Sequence, residues 1–197
     1  KNTLLYYFGD KYINELNKRI FVVDGSITEF NLNLSEEDYE TLGNTISTVI
    51  HAAALVKHYG NVDAFKTANV KGTQKILDFC ERFNLKLMHI STISVSGNVF
   101  ADSSYIENNF KDDIEYSETN FYINQNLDNV YIKSKFYSEA LIFDAIKHGL
   151  NAYVFRIGNL TNRFSDCKFQ PNYKENAFVN RFKSILKIGY APDYLLD

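Results

Sequence analysis

Along this chain, short apolar runs alternate with longer stretches whose apolar positions recur every three to four residues. Arg19–Val23, Ser47–Ile50, Lys86–Ile90 and Ala152–Arg156 read as buried strands. Between and after them the spacing predicts helices. Leu34–Leu42 opens with Ser35 as N-cap and with Glu36, Glu37 and Asp38 in its first turn, where carboxylates meet the positive end of the helix dipole. Asn61–Phe83 places Phe65, Asn69, Thr73, Ile76, Leu77 and Cys80 on or near one stripe. Tyr131–His148 ends at Gly149, and Asn176–Ile188 ends at Gly189, glycine being the residue that closes helices most easily. Strands alternating with long helices imply βαβ units and a parallel sheet.

In sheets of that kind chemistry collects beyond the carboxyl ends of the strands. Four polar or small-residue clusters sit there: Gly25-Ser26, His51 to Ala54, Ser91-Thr92, and Gly158 to Thr161. Asn98–Val130 differs from the rest. It lacks clear periodicity and carries Asp102, Glu107, Asp112, Asp113, Glu115 and Glu118. A loop of such length in a compact domain reads as a substrate-side lid.

Composition removes several classes of function. The chain has 197 residues, 45% hydrophobic and 23% charged, enough for one sizeable core. A formal charge of -3 leaves no basic footprint for nucleic acid. The longest apolar runs, such as Ile50–Val56, fall far short of the ~20 residues a membrane span needs, and no signal peptide is visible. Two cysteines, Cys80 and Cys167, form no disulfide framework and no metal spacing. Cys80 reads as a buried, inert thiol, and a reducing, cytoplasmic setting fits. His51, His58, His89 and His148 are not spaced as ligands, so no metal is expected. His51 reads as a positional residue at a strand end, and His58 as a lining residue of a substrate channel.

Tyr131 and Lys135 carry the most specific chemistry. They lie four apart in Tyr-Ile-Lys-Ser-Lys and share a helix face, so the ammonium can approach the phenol and lower its pKa from ~10. Ser91-Thr92 ends the strand before them. A hydroxyl at a strand end and a Tyr-x-x-x-Lys helix are the equipment for delivering a proton while a hydride moves.

The order of motifs resembles the extended short-chain dehydrogenase/reductase superfamily. More narrowly, the stretches VIHAAALVKHYG with ANVKGTQKIL, HISTISVSG, YIKSKFYSE and FRIGNLTNRFSDCKFQPNYKENAFVNRFKS are similar to the terminal thioester reductase domain of nonribosomal peptide synthetases and its relatives in carboxylic acid reductases. The resemblance implies an α/β fold with a Rossmann-like doubly wound parallel sheet, incomplete at both ends. Residues 1–163 would form a partial NADP-binding core with the lid-like insertion 98–130, and 164–197 the start of a C-terminal substrate lobe. It makes Thr92, Tyr131 and Lys135 the catalytic set. It assigns Ser26, Ile27, Ala52, Ala53, Ala54, Asn69, Lys135, Gly158 and Asn159 to the cofactor, NADPH. The implied reaction is reductive release of an acyl or peptidyl thioester as an aldehyde, or an alcohol after a second cycle. The implied partner is a phosphopantetheinylated peptidyl carrier protein in cis, for which Arg181, Lys183 and Lys187 offer a basic helix face.

Two departures from the family pattern stand out. Ser26 replaces the Asp that accepts from the adenine amino group, with Asp24 expected on the other strand face. The glycine-rich phosphate turn is absent, Gly9 standing alone before Gly25. The chain therefore reads as the middle of a longer reductase domain, inactive by itself. Two rivals stay open: a nucleotide-sugar epimerase or dehydratase of the same superfamily, and a non-catalytic Rossmann-like binding module.

Overall fold

The computed structural model describes residues 2–57, 60–97 and 116–191. It divides into two compact units, Val23–Gly158 and a second made of Lys1–Val22 with Asn159–Asp197.

The larger unit is built on a parallel sheet in the order β1 (Thr48–His51), β2 (Lys86–Thr92), β3 (Ala152–Ile157). The register aligns His51 with His89 and His89 with Val154. Helix α2 (Glu36–Thr45) starts at Ser35, whose hydroxyl accepts from the Asp38 amide. Helix α3 (Val62–Phe65) starts at Asn61 and runs through a wide π turn, Lys66–Lys71, into α4 (Gly72–Arg82). Helix α5 (Val130–Lys147) starts at Asn129, whose side chain accepts from the Tyr131 and Ile132 amides. Each cap satisfies amides that the first helical turn cannot pair.

The core lies where α2 and α4 meet the sheet. Tyr39, Ile76, Leu77, Phe79, Cys80, Leu85, Leu87, Ile142 and Ala145 form one buried cluster. Cys80 is fully buried, and burial pushes its thiol up to about 12, so it is inert as expected. The sheet face that carries His51, His89 and Ser91 is covered by α4 and α5, through the side-chain bonds described below. On the other face Ile50, Tyr153 and Phe155 are exposed. Among the described residues, one helical layer of a doubly wound sheet is present.

Arg19–Val23 forms no strand. Phe21, Val22 and Val23 are exposed, and Ile20 makes a single bridge to Leu16. β-prone residues become a strand only where a neighbour pairs their backbone groups, and no described strand does so here. The following segment turns instead through Asn31, Leu32 and Asn33, three successive left-handed residues, with the Leu32 carbonyl accepting from the Ser26 amide at 2.8 Å.

In the smaller unit α1 (Asn2–Phe8) leads into a 3₁₀ turn, Gly9–Glu15. Arg163 pairs with Asp166, donates to the Tyr7 carbonyl at 2.5 Å and lies over the Phe8 ring at 5.1 Å. The Tyr6 hydroxyl donates to the Phe169 carbonyl at 2.8 Å. Helix α6 (Ala177–Ile188) is capped by Asn176 and closed by Gly189 in the left-handed region. Among the described residues no helix is long and apolar enough to cross a membrane, and no cluster of metal ligands occurs.

After β2 a 3₁₀ turn, Ile93–Ser96, ends at Gly97 with φ 68°. A Cβ at Gly97 would collide with the Asn126 carbonyl and the Gln125 side chain. Gly97→Ala is therefore expected to cost ~1–3 kcal/mol through combined strain and overlap. Urea denaturation of the variant against the parent measures it.

Candidate active site

The site is assembled by one helix face laid against two strand ends. The inward residues of α5 are largely polar: Ser134, Lys135, Ser138 and Glu139 are all buried. A polar group removed from water must find a partner or pay its desolvation, and each of these does. Ser134 Oγ donates to the Tyr131 carbonyl at 2.7 Å and receives the Asn69 amide nitrogen at 2.8 Å. Ser138 Oγ donates to the Asn69 carbonyl at 2.8 Å. Glu139 accepts from Ser91 Oγ at 2.5 Å and from the Arg156 guanidinium at 2.8 Å. Arg156 in turn donates to the Ser117 carbonyl at 3.3 Å. The Asn69 carbonyl lies in the π turn and also accepts from Thr73 Oγ1 at 2.6 Å.

Tyr131 stands in the first turn of α5, and the Thr92 side chain at the carboxyl end of β2 acts on its phenol. Thr92 Oγ1 also accepts from the Ser94 amide at 3.2 Å, which fixes its direction. Burial raises the Tyr131 pKa above its ordinary value, and the Thr92 hydroxyl opposes this. The phenol is thus held protonated at neutral pH, as a proton donor. The expected lowering by Lys135 is not found. Lys135, only 3% exposed, directs its Nζ to the Ile90 carbonyl at 2.8 Å and to His89 Nε2 at 3.0 Å. Sharing a helix face brought the two residues near, but the strand's acceptors decided where the ammonium went. Burial lowers the Lys135 pKa to about 8, with Glu139 pulling it back up.

The remaining expected residues divide. Ala52 and Ala53 are exposed just beyond β1, so the backbone there is open to close approach. Asn69 holds that loop by its neighbouring backbone, accepting from the Leu55 amide at 2.7 Å and donating to the Leu55 carbonyl at 3.0 Å. Ser26 Oγ is engaged with Thr28 Oγ1 at 2.9 Å, and the Ile27 side chain packs toward Gly72 in the core. Gly158 is exposed at the end of β3, while Asn159 begins the other compact unit. His58 and residues 98–115 of the anticipated lid lie outside the described residues. Residues 116–129 are anchored: Gln125 Nε2 donates to the Val95 carbonyl at 3.0 Å and to the Phe121 carbonyl at 2.9 Å. On α6 Arg181, Lys183 and Lys187 are exposed, with Lys183 Nζ 4.9 Å from the Tyr173 ring centre.

Sequence reasoning passed over His89, Glu139 and Arg156. Glu139 stood in the Tyr-Ile-Lys-Ser-Lys-Phe-Tyr-Ser-Glu run, four residues after Lys135 and hence on the same face. That spacing was the available signal.

Comparison with known proteins places the chain in a family. The profile of the NAD_binding_4 family, described as male sterility protein, matches residues 2–195. The chain belongs to that family. The large subunit of L-2-aminoadipate reductase from Candida glabrata is 28% identical over 93% of the chain. Carboxylic acid reductase from Segniliparus rugosus is 27% identical over 94%. The chain spans only 13% and 16% of those two proteins. Among solved structures, a thiolation-reductase di-domain of an archaeal nonribosomal peptide synthetase superposes with TM-score 0.80 at 37% identity. That match covers 95% of the chain and 48% of the di-domain chain. The expected likeness to terminal reductase domains with a Rossmann-like fold is borne out.

A nicotinamide fits the residues present. Proton-donating Tyr131 with Thr92, the Lys135 ammonium, and an open small-residue loop at Ala52-Ala53 lie on the carboxyl-end side of the sheet, where dinucleotides bind in such folds.

Two outcomes follow from the buried charges. Glu139→Ala strands Arg156 without its carboxylate, and a loss of ~3–5 kcal/mol is expected in chemical denaturation. Burial, together with the Lys135 charge, lowers His51 from 6.5 to about 4 and His89 further still. The folded state then binds fewer protons than the unfolded one below pH 6.5. Stability is complete above that pH and falls as pH drops toward 4, by about 1.4 kcal/mol per unit for each fully responding histidine. Denaturation midpoints at pH 7 and pH 5 measure the slope, and His51→Gln should reduce it.

Proposed function

We propose that this chain is part of a thioester reductase: a cytoplasmic, NADPH-dependent oxidoreductase of the extended short-chain dehydrogenase/reductase type. It would release an acyl or peptidyl thioester from a phosphopantetheinylated carrier protein in cis, as an aldehyde. The observation that carries the reading is Lys135, buried and bound to the Ile90 carbonyl and His89 on β2, one turn after Tyr131 on the helix that faces the strand ending at Thr92.

When bound, the nicotinamide supplies the hydride. The protein's share is to receive the charge that builds on the carbonyl oxygen. Thr92 Oγ1 and Tyr131 Oη are two donors fixed beforehand, and donors that need no reorganisation stabilise a developing oxyanion best. A phenol held protonated can pass its proton to that oxygen. Lys135, with two of its three N–H groups committed to the Ile90 carbonyl and His89, retains one for a ribose hydroxyl.

A nucleotide-sugar epimerase would use the same three residues. The family match, and the 37% identity to a reductase di-domain, support the reductase reading instead. In the full-length protein, Tyr131→Phe is expected to lower kcat by ~10²–10⁴ while leaving NADPH affinity within about twofold. Turnover is measured with a carrier-bound thioester and affinity by cofactor fluorescence. Near-normal turnover in the variant would remove Tyr131 from the mechanism, and activity on nucleotide sugars alone would replace the substrate class.

A further inference from the structure

Among the described residues, one fully buried side-chain nitrogen or oxygen has no hydrogen-bond partner: His89 Nδ1. His89 is 1% exposed and sits in the middle of β2, level with Val154 of β3. An aliphatic residue would fill that layer without leaving a buried nitrogen unsatisfied. Its other nitrogen must therefore contribute something that offsets this cost, and that nitrogen lies 3.0 Å from Lys135 Nζ.

The neighbouring bonds fix the direction of the contact. The Thr73 hydroxyl gives its one proton to the Asn69 carbonyl at 2.6 Å. Thr73 Oγ1 can then only accept from His51 Nε2, at 3.1 Å, so His51 carries its proton on Nε2. The His51 and His89 rings lie 4.9 Å apart between centres. Lys135 as an ammonium has donors only, so His89 Nε2 accepts, and the His89 proton goes to the unpartnered Nδ1. The two histidines thus stand in opposite tautomers, both neutral, beside one cation. The charged or titratable groups around that cation are His51 on β1, His89 on β2, and Tyr131 and Glu139 on α5, with Glu139 already paired to Arg156.

We propose that His89 is the positioning residue for Lys135: its Nε2, together with the Ile90 carbonyl, holds the ammonium against β2 and sustains its positive charge, leaving one N–H for a ligand hydroxyl. This rests on the reading of Lys135 as a cofactor-side residue. It adds a residue two places before the Ser-Thr pair, on the strand rather than the helix, that holds Lys135 in place and helps keep it charged.

The amine is observed directly by NMR titration of the protein labelled with ¹³Cε-lysine, Lys135 being assigned from Lys135→Met. In His89→Leu the charged form loses an acceptor, and its midpoint should fall by about one pH unit. In His89→Gln the side-chain oxygen reaches the place of Nε2, and the midpoint should stay within about 0.3 units of the parent. In His89→Asn the oxygen sits where Nδ1 was, and the midpoint should follow the leucine variant. An unchanged midpoint in a folded leucine variant overturns the proposal. Where that variant does not fold, equal midpoints for Gln and Asn overturn it. The alkaline limb of the kcat/KM profile of the full-length reductase should move with the NMR midpoint and return with Gln. A moved midpoint with an unmoved rate profile would refute the cofactor-side role of Lys135 and leave its coupling to His89 standing.

Discussion

The structure depends on a polar seam between α5 and the sheet. Most helices join a sheet through an apolar stripe, which tolerates sliding and rotation because dispersion contacts have little direction. Helix α5 instead brings two serines, a lysine and a glutamate to the interface, all buried. Such groups are stable there only in the one placement that pairs them. Asn69, His89, Ser91 and Arg156 supply the pairs from three different elements. A rotation of α5 by a fraction of a turn would strand a carboxylate and an ammonium at once. The seam therefore specifies position more than it adds stability, since buried charges roughly repay their own desolvation.

That specification reaches the site. With Glu139 and Lys135 locked, Tyr131 one turn earlier has only the end of β2 to meet, and it meets Thr92. Thr92 is placed independently by the 3₁₀ turn that follows it, closed by Gly97 and held by Gln125 through the Val95 carbonyl. The described end of the long insertion is tied to the same framework, through Arg156 and the Ser117 carbonyl. Residues 116–129 thus belong to the scaffold that aims the hydroxyls. Two rigid supports converging on one point are what a pre-organised pair of donors requires.

Much of this was legible in the residues. The cap at Ser35, the helix starts at Asn61 and Asn176 and the closures at Gly149 and Gly189 fall where the residues placed them, because capping is a local bargain between a side chain and nearby amides. The three sheet strands appear within a residue or two of the apolar runs. Arg19–Val23 failed as a strand because pairing is not local: its side chains favour extension, but nothing described lies beside it to complete a ladder.

The chain by itself determined the alternation of strands and helices, the single face shared by Tyr131 and Lys135, and the hydroxyl at the end of β2. These follow from period, capping and spacing, all of which act over a few residues. Only the tertiary structure decided the direction in which Lys135 points, the upward shift of the Tyr131 phenol and the partnership of Glu139 with Arg156. Each of those turns on which acceptor lies nearest in a medium without water, and groups dozens of residues apart in sequence compete for that place.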